Sequence, residues 1–282
     1  MSTPAPARTR RSAARRTPAP LPGLDLEASL VAGRPQGGAL VAGMDEVGRG
    51  ALAGPVSVGV VVVRLPDAGP VPAVRDSKAL SPARREALVP EVLAWGAAAA
   101  VGHAAPGEID RYGISGALAL AGRRAWHEVV TALGAQPDAL VLDGRDDWLP
   151  RAPRPECAGL AAGPGRVHLQ VKADARCATV AAASILAKVE RDALMTRLAA
   201  EHPAYGWDGN KGYGAAAHRR ALVERGPSPH HRLSWRLLPG AEAPGTAAPA
   251  DPGRGTARMP VPGQSALSWD GATGELGAEW TA

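Results

Sequence analysis

The 282-residue sequence has little of several residue types that define common protein classes. It contains no phenylalanine, three tyrosines and two cysteines, Cys157 and Cys177. Two cysteines are too few for a disulfide framework or for a zinc site built on them, so a reducing compartment is expected. No apolar run is long and uncharged enough to span a membrane, and the N-terminus lacks the apolar core of a secretion signal. We therefore expect a cytoplasmic protein with no membrane partner.

Positive charge is in excess, and much of it lies at the N-terminus. The formal net charge is +5, and five arginines precede the first acidic residue, Asp25. This balance suits a polyanionic partner without identifying one. Residues 1–35, rich in Pro, Ala and Arg, are predicted to be a disordered basic tail, and residues 239–282, rich in Gly, Ala and Pro, a second disordered tail. The folded domain is therefore expected to cover residues 36–238.

Apolar runs and helix signals predict an α/β fold. Strands are predicted at five places: 39–47, 55–65, 96–104, 138–144 and 167–174. Helices are predicted within 76–95, where Ser81 and Pro82 form a start signal, and at 107–134, 179–202 and 215–226. This order of elements predicts a mixed sheet flanked by helices, with additional helices after the last strand.

Four carboxylates fall at the predicted ends of strands. Asp45 and Glu46 close the first strand, Asp143 closes the fourth and Asp174 the fifth. Functional groups of α/β sheets collect at strand ends, and four converging carboxylates would repel one another unless divalent cations held them together. Oxygen-only ligands favour Mg²⁺ or Mn²⁺. Two such ions, about 3.5–4 Å apart, are the usual arrangement for displacement at a phosphodiester.

Each acid also has an ordinary structural interpretation. Asp45 and Glu46 fit a solvated strand end, Asp143 fits a turn, and Asp174 fits the N-cap of the following helix. The metal hypothesis therefore depends on the set and not on one member. Asp192 is a further acid, but at ~1.5 Å of rise per residue it lies roughly 20 Å from the start of its helix, so we predict a structural or salt-bridging role.

Several motifs, in order, resemble bacterial ribonuclease HII. They are MDEVGRGALAGPV from residue 44, DSKALS from 76, EID from 108, VLDG from 141, KADARCATVAAASILAKVERDALM from 172 and YGWDGNKGYGAAAH from 205. The resemblance covers roughly residues 39–236. It implies a ribonuclease H-like fold with a five-stranded mixed sheet, two Mg²⁺ or Mn²⁺ ions, and cleavage of RNA within DNA-containing duplexes. It also implies a preference for the junction 5′ to a ribonucleotide embedded in DNA.

The resemblance places the catalytic, metal-binding role on the four acids already collected: Asp45, Glu46, Asp143 and Asp174. The last two stand 31 positions apart, which is longer than usual for the family because of the insertion DWLPRAPRPECAGLAAGPG. In the family, the backbone of a Gly-Arg-Gly turn reads the ribose 2′-OH, and the match gives that role to Gly48, Arg49 and Gly50. Glycine permits the close approach because it lacks a Cβ. A plain tight turn between strands is the alternative.

Tyr213 resembles the family's tyrosine that stacks beside the junction nucleotide and contacts the same 2′-OH. A packing role in a Gly-rich loop is its alternative. Two residues later the family commonly has threonine where this chain has Ala215, so that hydroxyl contact is lost. Phosphate contacts, which give affinity and salt dependence, are predicted for Arg49 and for three lysines, Lys78, Lys188 and Lys211. The alternative for each lysine is an ordinary exposed side chain with no substrate contact. Three histidines are predicted to be surface or packing residues: His218, His230 and His231.

Together these features predict a monomeric two-metal endoribonuclease in which Asp45 bridges both ions. Its nucleic-acid partners would be RNA–DNA hybrids and DNA duplexes with embedded ribonucleotides, and its products would carry a 3′-hydroxyl and a 5′-phosphate. One alternative is another nuclease of the same fold, which would also cut all-DNA duplex. The other is a catalytically silent duplex-binding module, which would bind a hybrid without turnover.

Overall fold

The structure is a computed structural model that describes residues 20–34 and 38–238, together with the backbone of two later strands, Ser265–Asp270 and Glu275–Ala278. Within these residues, no helix is long and apolar enough to cross a membrane. Most of the two predicted tails lies outside the described residues, so their disorder stays a prediction there.

Five strands form the mixed sheet that the sequence predicts. They are β1 (Ala39–Val47), β2 (Val56–Leu65), β3 (Ala98–Ala104), β4 (Ala139–Asp143) and β5 (Val167–Gln170). β1, β2 and β3 pair antiparallel, whereas β4 runs parallel to β1 and β5 runs parallel to β4. Two short strands inside the predicted second tail, β6 (Ser265–Asp270) and β7 (Glu275–Ala278), extend the sheet beyond β3. The strand order is β5-β4-β1-β2-β3-β6-β7.

Helices cover both faces of this sheet. They are α1 (Asp25–Leu30), α2 (Pro82–Trp95), α3 (Pro106–Leu133), α4 (Ala178–Glu201), α5 (Trp207–Asn210) and α6 (Ala216–Arg225). The start signal of α2 is confirmed, because the Ser81 hydroxyl accepts a hydrogen bond from the Arg84 N–H and Pro82 follows it. The other long helices begin and end within one or two residues of their predicted bounds.

Strand β2 shows why helices are needed on both faces. Val60 and Val62 pack with α3, whereas Val61 and Val63 face the layer that contains α4. All of these side chains are fully buried. A strand that is covered on both faces is apolar at successive positions instead of alternating, and this is the pattern of VSVGVVVVRL.

Helix α4 packs closely against the sheet. A Cβ on Gly43 of β1 would overlap Thr179, and a Cβ on Gly59 of β2 would overlap the Ala183 carbonyl. Glycines on the strands and alanines on the helix therefore let the two backbones approach. This packing sets where the first turns of α4 lie relative to the end of β1.

Helix α1 occupies part of the segment predicted as a disordered N-terminal tail. Its Glu27 is fully buried and accepts hydrogen bonds from the Thr179 N–H (3.1 Å) and hydroxyl (2.8 Å) at the start of α4. The backbone of Gly23 is hydrogen-bonded to Arg176 and Ala178. Residues 20–34 therefore pack onto the folded domain, which begins earlier in the chain than the predicted boundary.

Candidate active site

Asp45 lies near the end of β1, the central strand between β2 and β4. Its side chain is 6% exposed, and its Oδ1 accepts a hydrogen bond from the Glu46 N–H (2.8 Å). Burial raises its pKa to about 7, and the charges of Glu46 and Asp143 add to this rise against the opposing effect of a hydrogen bond with Ser184. A buried carboxylate beside two others is a favourable place for a cation.

Asp143 lies beside Asp45 because β4 and β1 are parallel. Met44 pairs with Leu142, so the residue that follows each of them lies at the same edge of the sheet. The Asp143 Oδ1 accepts a hydrogen bond from the Ala173 N–H (2.8 Å). That bond attaches the end of β4 to the turn that carries the fourth acid.

The position of Asp174 differs from both sequence interpretations. β5 ends at Gln170, and Asp174 lies in a 3₁₀ turn over Ala173–Ala175, so it does not close a strand. The N-cap of α4 is Cys177, so Asp174 does not cap the helix either. The chain reverses at Lys172, which adopts the left-handed conformation (φ +56°, ψ +44°). That conformation costs a non-glycine residue roughly 1–2 kcal/mol and leaves no signal in an apolar pattern.

The insertion between Asp143 and Asp174 folds away from the acids. Trp148 and Leu149 are buried against Gly122 of α3, and the Trp126 indole N–H donates to the Ala162 carbonyl (3.0 Å). The extra residues therefore lengthen the sequence spacing without moving the Asp174 turn away from β4.

The four acids share one electrostatic environment. Burial raises the pKa of Glu46 and of Asp174, and the charge of Asp143 adds to both shifts. Burial lowers the pKa of Lys78, but the nearby carboxylates, Asp45 foremost, outweigh it and raise the pKa overall. Lys78 is thus the cation that all the acids on this edge attract.

The carboxylates are neighbours that do not form a close group of three. No three of the four acids bring one oxygen each to within 4.8 Å of the others, although all four belong to the described residues. Like charges resist closer approach. An all-carboxylate donor set at one sheet edge fits hard divalent cations such as Mg²⁺ or Mn²⁺.

The turn after β1 contains two glycines with different surroundings. Gly48 has φ +81°, and a Cβ there would overlap the Arg191 guanidinium, so the fold itself requires glycine at this position. Gly50 has no atom within 4 Å of where its Cβ would lie and does not have a positive φ. Packing therefore explains the first glycine but not the second. Arg49 between them approaches Glu46 (3.4 Å), which joins the turn to the acids.

Two buried arginines donate hydrogen bonds to the backbone of this turn and of the segments next to it. The Arg232 guanidinium donates to the carbonyls of Gly48 (2.7 Å) and Arg49 (2.9 Å) and to those of Gly54 and Pro55. Arg191 of α4 donates to the carbonyls of Ala53 and Lys211 and shares that of Pro55 with Arg232. Burial lowers the pKa of both guanidinium groups.

Sequence reasoning missed four residues around the site: Glu27, Ser184, Arg191 and Arg232. Arg191 carried a signal, because it falls at helical spacing among the buried residues Ser184, Ala187 and Met195 of α4. A charged residue in the buried stripe of a helix indicates a structural or functional partner. The other three depend on contacts with distant segments.

Tyr213 lies beside the turn and is 38% exposed. Its loop is attached to the turn segment, because the N–H groups of Leu52 and Ala53 both donate to the Gly212 carbonyl. The Arg191 guanidinium lies 5.7 Å from the ring centroid. The ring is therefore held at the surface and is not packed into the core.

The three lysines differ in their surroundings. Lys78 is exposed and faces the acids. Lys211 donates to the Thr196 hydroxyl (2.7 Å), and Lys188 donates to both carboxylate oxygens of Asp192 (2.6 Å). The salt-bridging role predicted for Asp192 is thereby confirmed.

The fold and its acids define a nuclease of the ribonuclease H class, and comparisons with known proteins agree. The model of the ribonuclease HII family matches residues 42–238. The chain belongs to this family. Ribonuclease HII from Streptomyces avermitilis is 44% identical over 202 residues, which are 72% of this chain and 79% of that protein.

Solved structures of related enzymes have the same fold. Ribonuclease H2 from Pyrococcus horikoshii OT3 is 30% identical with a TM-score of 0.51, over 70% of this chain and 94% of that one. Bst-RNase HIII in complex with Mn²⁺ is 27% identical with a TM-score of 0.55, over 71% of this chain and 68% of that one. The five-stranded mixed sheet and the ribonuclease activity expected from the sequence are therefore confirmed.

Proposed function

We propose that this ribonuclease H hydrolyses the RNA strand of RNA–DNA hybrids and nicks DNA duplexes 5′ to embedded ribonucleotides, leaving 3′-hydroxyl and 5′-phosphate ends. Its role would be the removal of ribonucleotides from DNA. The proposal depends mainly on one contact. Arg49, in the turn that contains the sterically unconstrained Gly50, approaches Glu46 and so connects this turn to the acids at the end of β1.

We further propose that two Mn²⁺ or Mg²⁺ ions bind to Asp45, Glu46, Asp143 and Asp174. Asp45 is the most buried of these acids and interacts with Glu46 and Asp143, so it is best placed to serve both ions. The bound Mn²⁺ of the Bst-RNase HIII relative supports this choice. When bound, such ions supply the charge that activates water and stabilises the leaving oxygen.

The chain itself would select and hold the ribonucleotide. The open side of Gly50 leaves room for a sugar, and the exposed Tyr213 ring lies on a loop that backbone hydrogen bonds attach to Leu52 and Ala53. In the proposed arrangement, the backbone of Gly48, Arg49 and Gly50 and the Tyr213 ring contact the ribose 2′-OH.

Phosphate binding would come from cationic side chains around the turn and the Tyr213 ring. Lys78, Arg49 and Lys211 are the candidates nearest to the acids and the Tyr213 loop. Lys188 would have to leave its salt bridge with Asp192 to contribute. We expect such contacts to make binding salt-dependent without selecting a base sequence.

One copy of the chain carries all four acids, the turn and Tyr213, so no second subunit is needed to complete the site. We therefore propose a monomer. DNA as a substrate also implies that the protein acts in the cytoplasm, where a bacterial chromosome lies.

The test uses a labelled DNA duplex with one ribonucleotide, beside an RNA–DNA hybrid and an all-DNA duplex, each with Mg²⁺, Mn²⁺ or a chelator. We expect one metal-dependent nick 5′ to the ribonucleotide and no cleavage of all-DNA. Tyr213→Ala should lower the rate at the single ribonucleotide more than on the long hybrid. Cleavage of all-DNA would favour a less selective nuclease, and binding without any cleavage would favour the silent module.

A further inference from the structure

Six aromatic rings lie together beyond the C-terminal end of α4: His202, Tyr205, Trp207, His218, His230 and His231. The inner histidines, His218 and His231, use all of their ring nitrogens. Their Nε2 atoms are 3.0 Å apart, the His218 Nδ1 bonds to the Tyr213 carbonyl, and the His231 Nδ1 contacts the Ser228 hydroxyl and N–H. These two are packing residues, as the sequence predicts.

The outer histidines, His202 and His230, are different. Both are half-buried, and neither ring makes a hydrogen bond within the part of the chain that the structure describes. Their ring centroids are 5.2 Å apart, with an interplanar angle of 65°. Glu201, the last residue of α4, is exposed and forms no salt bridge within the same residues.

These three side chains are arranged like the ligands of a transition metal. One oxygen of Glu201 and one nitrogen each of His202 and His230 all lie within 4.8 Å of one another. No other group of three or more His, Cys, Asp or Glu residues within the described ranges meets that condition. Tetrahedral zinc with bonds of about 2.0–2.1 Å needs ligand atoms about 3.3 Å apart. Small side-chain rotations at a half-exposed site would cover that difference.

We propose that Glu201, His202 and His230 form a second metal site, specific for a zinc-like divalent ion and separate from the carboxylate site. Two imidazoles and one carboxylate suit zinc, whereas oxygen-only donors suit Mg²⁺ and Mn²⁺. Three protein ligands leave the fourth position of a tetrahedral ion to water. Burial and the neighbouring His202 lower the pKa of His230, which keeps its nitrogen available to a metal at neutral pH.

A metal ion here would join two segments that lie near the turn at residues 48–50. Glu201 and His202 belong to the end of α4, and His230 belongs to the loop before Arg232. The His230 carbonyl accepts a hydrogen bond from the Gly54 N–H (2.8 Å), and the Arg232 N–H donates to the Leu52 carbonyl (3.0 Å). The ion would therefore hold in place the loop whose arginine supports Gly48 and Arg49.

The test is calorimetric titration of the full-length, metal-free protein with zinc chloride in excess Mg²⁺, which saturates carboxylate-only sites. We expect one zinc ion per chain. His202→Ala and His230→Ala should each weaken binding by roughly 100-fold, and Glu201→Gln by roughly tenfold. Zinc should also raise the Tm of the wild type and not that of the two histidine variants.

His168→Ala is the matched control, because His168 is also half-buried and makes no side-chain hydrogen bond within the described residues. It should bind zinc like the wild type. Equal zinc affinity in the wild type and both histidine variants, or no uptake by the wild type, would overturn the proposal. If a histidine variant has a lower Tm than the wild type without zinc, the test depends on the surface substitution Glu201→Gln. An unchanged zinc affinity in Glu201→Gln would then overturn the proposal.

Discussion

The two parts of the candidate active site are built in opposite ways: the acid side (Asp45, Glu46, Asp143 and Asp174) and the proposed recognition side (the turn at residues 48–50 and the Tyr213 loop). On the acid side, Asp45 is buried among other carboxylates, and burial raises its pKa to about 7. On the recognition side, the buried guanidinium groups of Arg191 and Arg232 donate hydrogen bonds to the carbonyls of the turn and the Tyr213 loop. The polypeptide alone completes the recognition side, whereas the acid side gathers carboxylates whose charge Lys78 offsets in part and the proposed metal ions would neutralise. In the proposed function, the chain supplies the shape of the site and the bound ions supply its reactivity.

Asp45→Asn is the change that should separate the two sides most clearly. We expect cleavage of the single-ribonucleotide duplex to fall by roughly 10³-fold or more, since a buried charge at the reaction centre is lost. The free energy of unfolding in chelator should not fall, because the neutral amide replaces a carboxylate that Glu46 and Asp143 repel. Cleavage rates and denaturant melts measure the two effects. Near-normal cleavage would show that the metal assignment is wrong.

Arg232→Met tests the recognition side. Removing the guanidinium takes the hydrogen-bond donor from the carbonyls of Arg49 and Gly54 and one of two donors from those of Gly48 and Pro55. We therefore expect a loss of about 3 kcal/mol or more in the free energy of unfolding. Arg220→Met, at an exposed arginine of α6, is the control and should change stability by less than about 0.5 kcal/mol. Equal effects of the two substitutions would mean that the carbonyls find other partners.

Glu27→Ala tests whether helix α1 stabilises the acid side through its contact with the start of α4. It removes the acceptor for two donors of Thr179, so we expect a loss of about 1–2 kcal/mol in stability. The Mn²⁺ concentration for half-maximal cleavage should also rise, because the start of α4, which follows the Asp174 turn, loses part of its attachment. Glu27→Gln keeps an acceptor oxygen and should behave nearly like the wild type. An unchanged Mn²⁺ requirement in Glu27→Ala would limit the role of α1 to stability.

The last comparison concerns the pH dependence of stability in chelator. Asp45 has a pKa of about 7 in the folded protein against an ordinary value of 3.8. The folded state therefore binds its proton more tightly, and this contribution to stability is full below the ordinary pKa and is lost as pH rises towards 7. The difference between wild-type and Asp45→Asn unfolding free energies should follow that course. A flat difference would mean that Asp45 is ionised throughout.

The sequence predicted the parts of the molecule that local patterns determine. Apolar runs identified the strands, so the acids that follow such runs directly, Asp45, Glu46 and Asp143, were placed correctly on β1 and β4. Asp174 was misplaced because a single left-handed residue, Lys172, reverses the chain after β5. Such a reversal depends on tertiary contacts and not on hydrophobic periodicity.

Other features were hidden because their partners are distant in sequence. Arg232 bonds to carbonyls more than 170 positions earlier, and Glu27 bonds to Thr179, 152 positions later. Glu27 also lies in a segment whose composition resembles a disordered tail. Neither the charge nor the spacing of these residues identifies a partner, so only the folded chain reveals what they do.

The close approach of α4 to Gly43 and Gly59 has a consequence for genetics. Ser184, which lowers the pKa of Asp45, directly follows Ala183, the residue that Gly59 allows to approach β2. A single added methyl group at either glycine would lift the helix and move Ser184 away from the acid. Alleles with alanine at position 43 or 59 should therefore be recovered as loss-of-function mutants, although neither residue can carry out any chemistry.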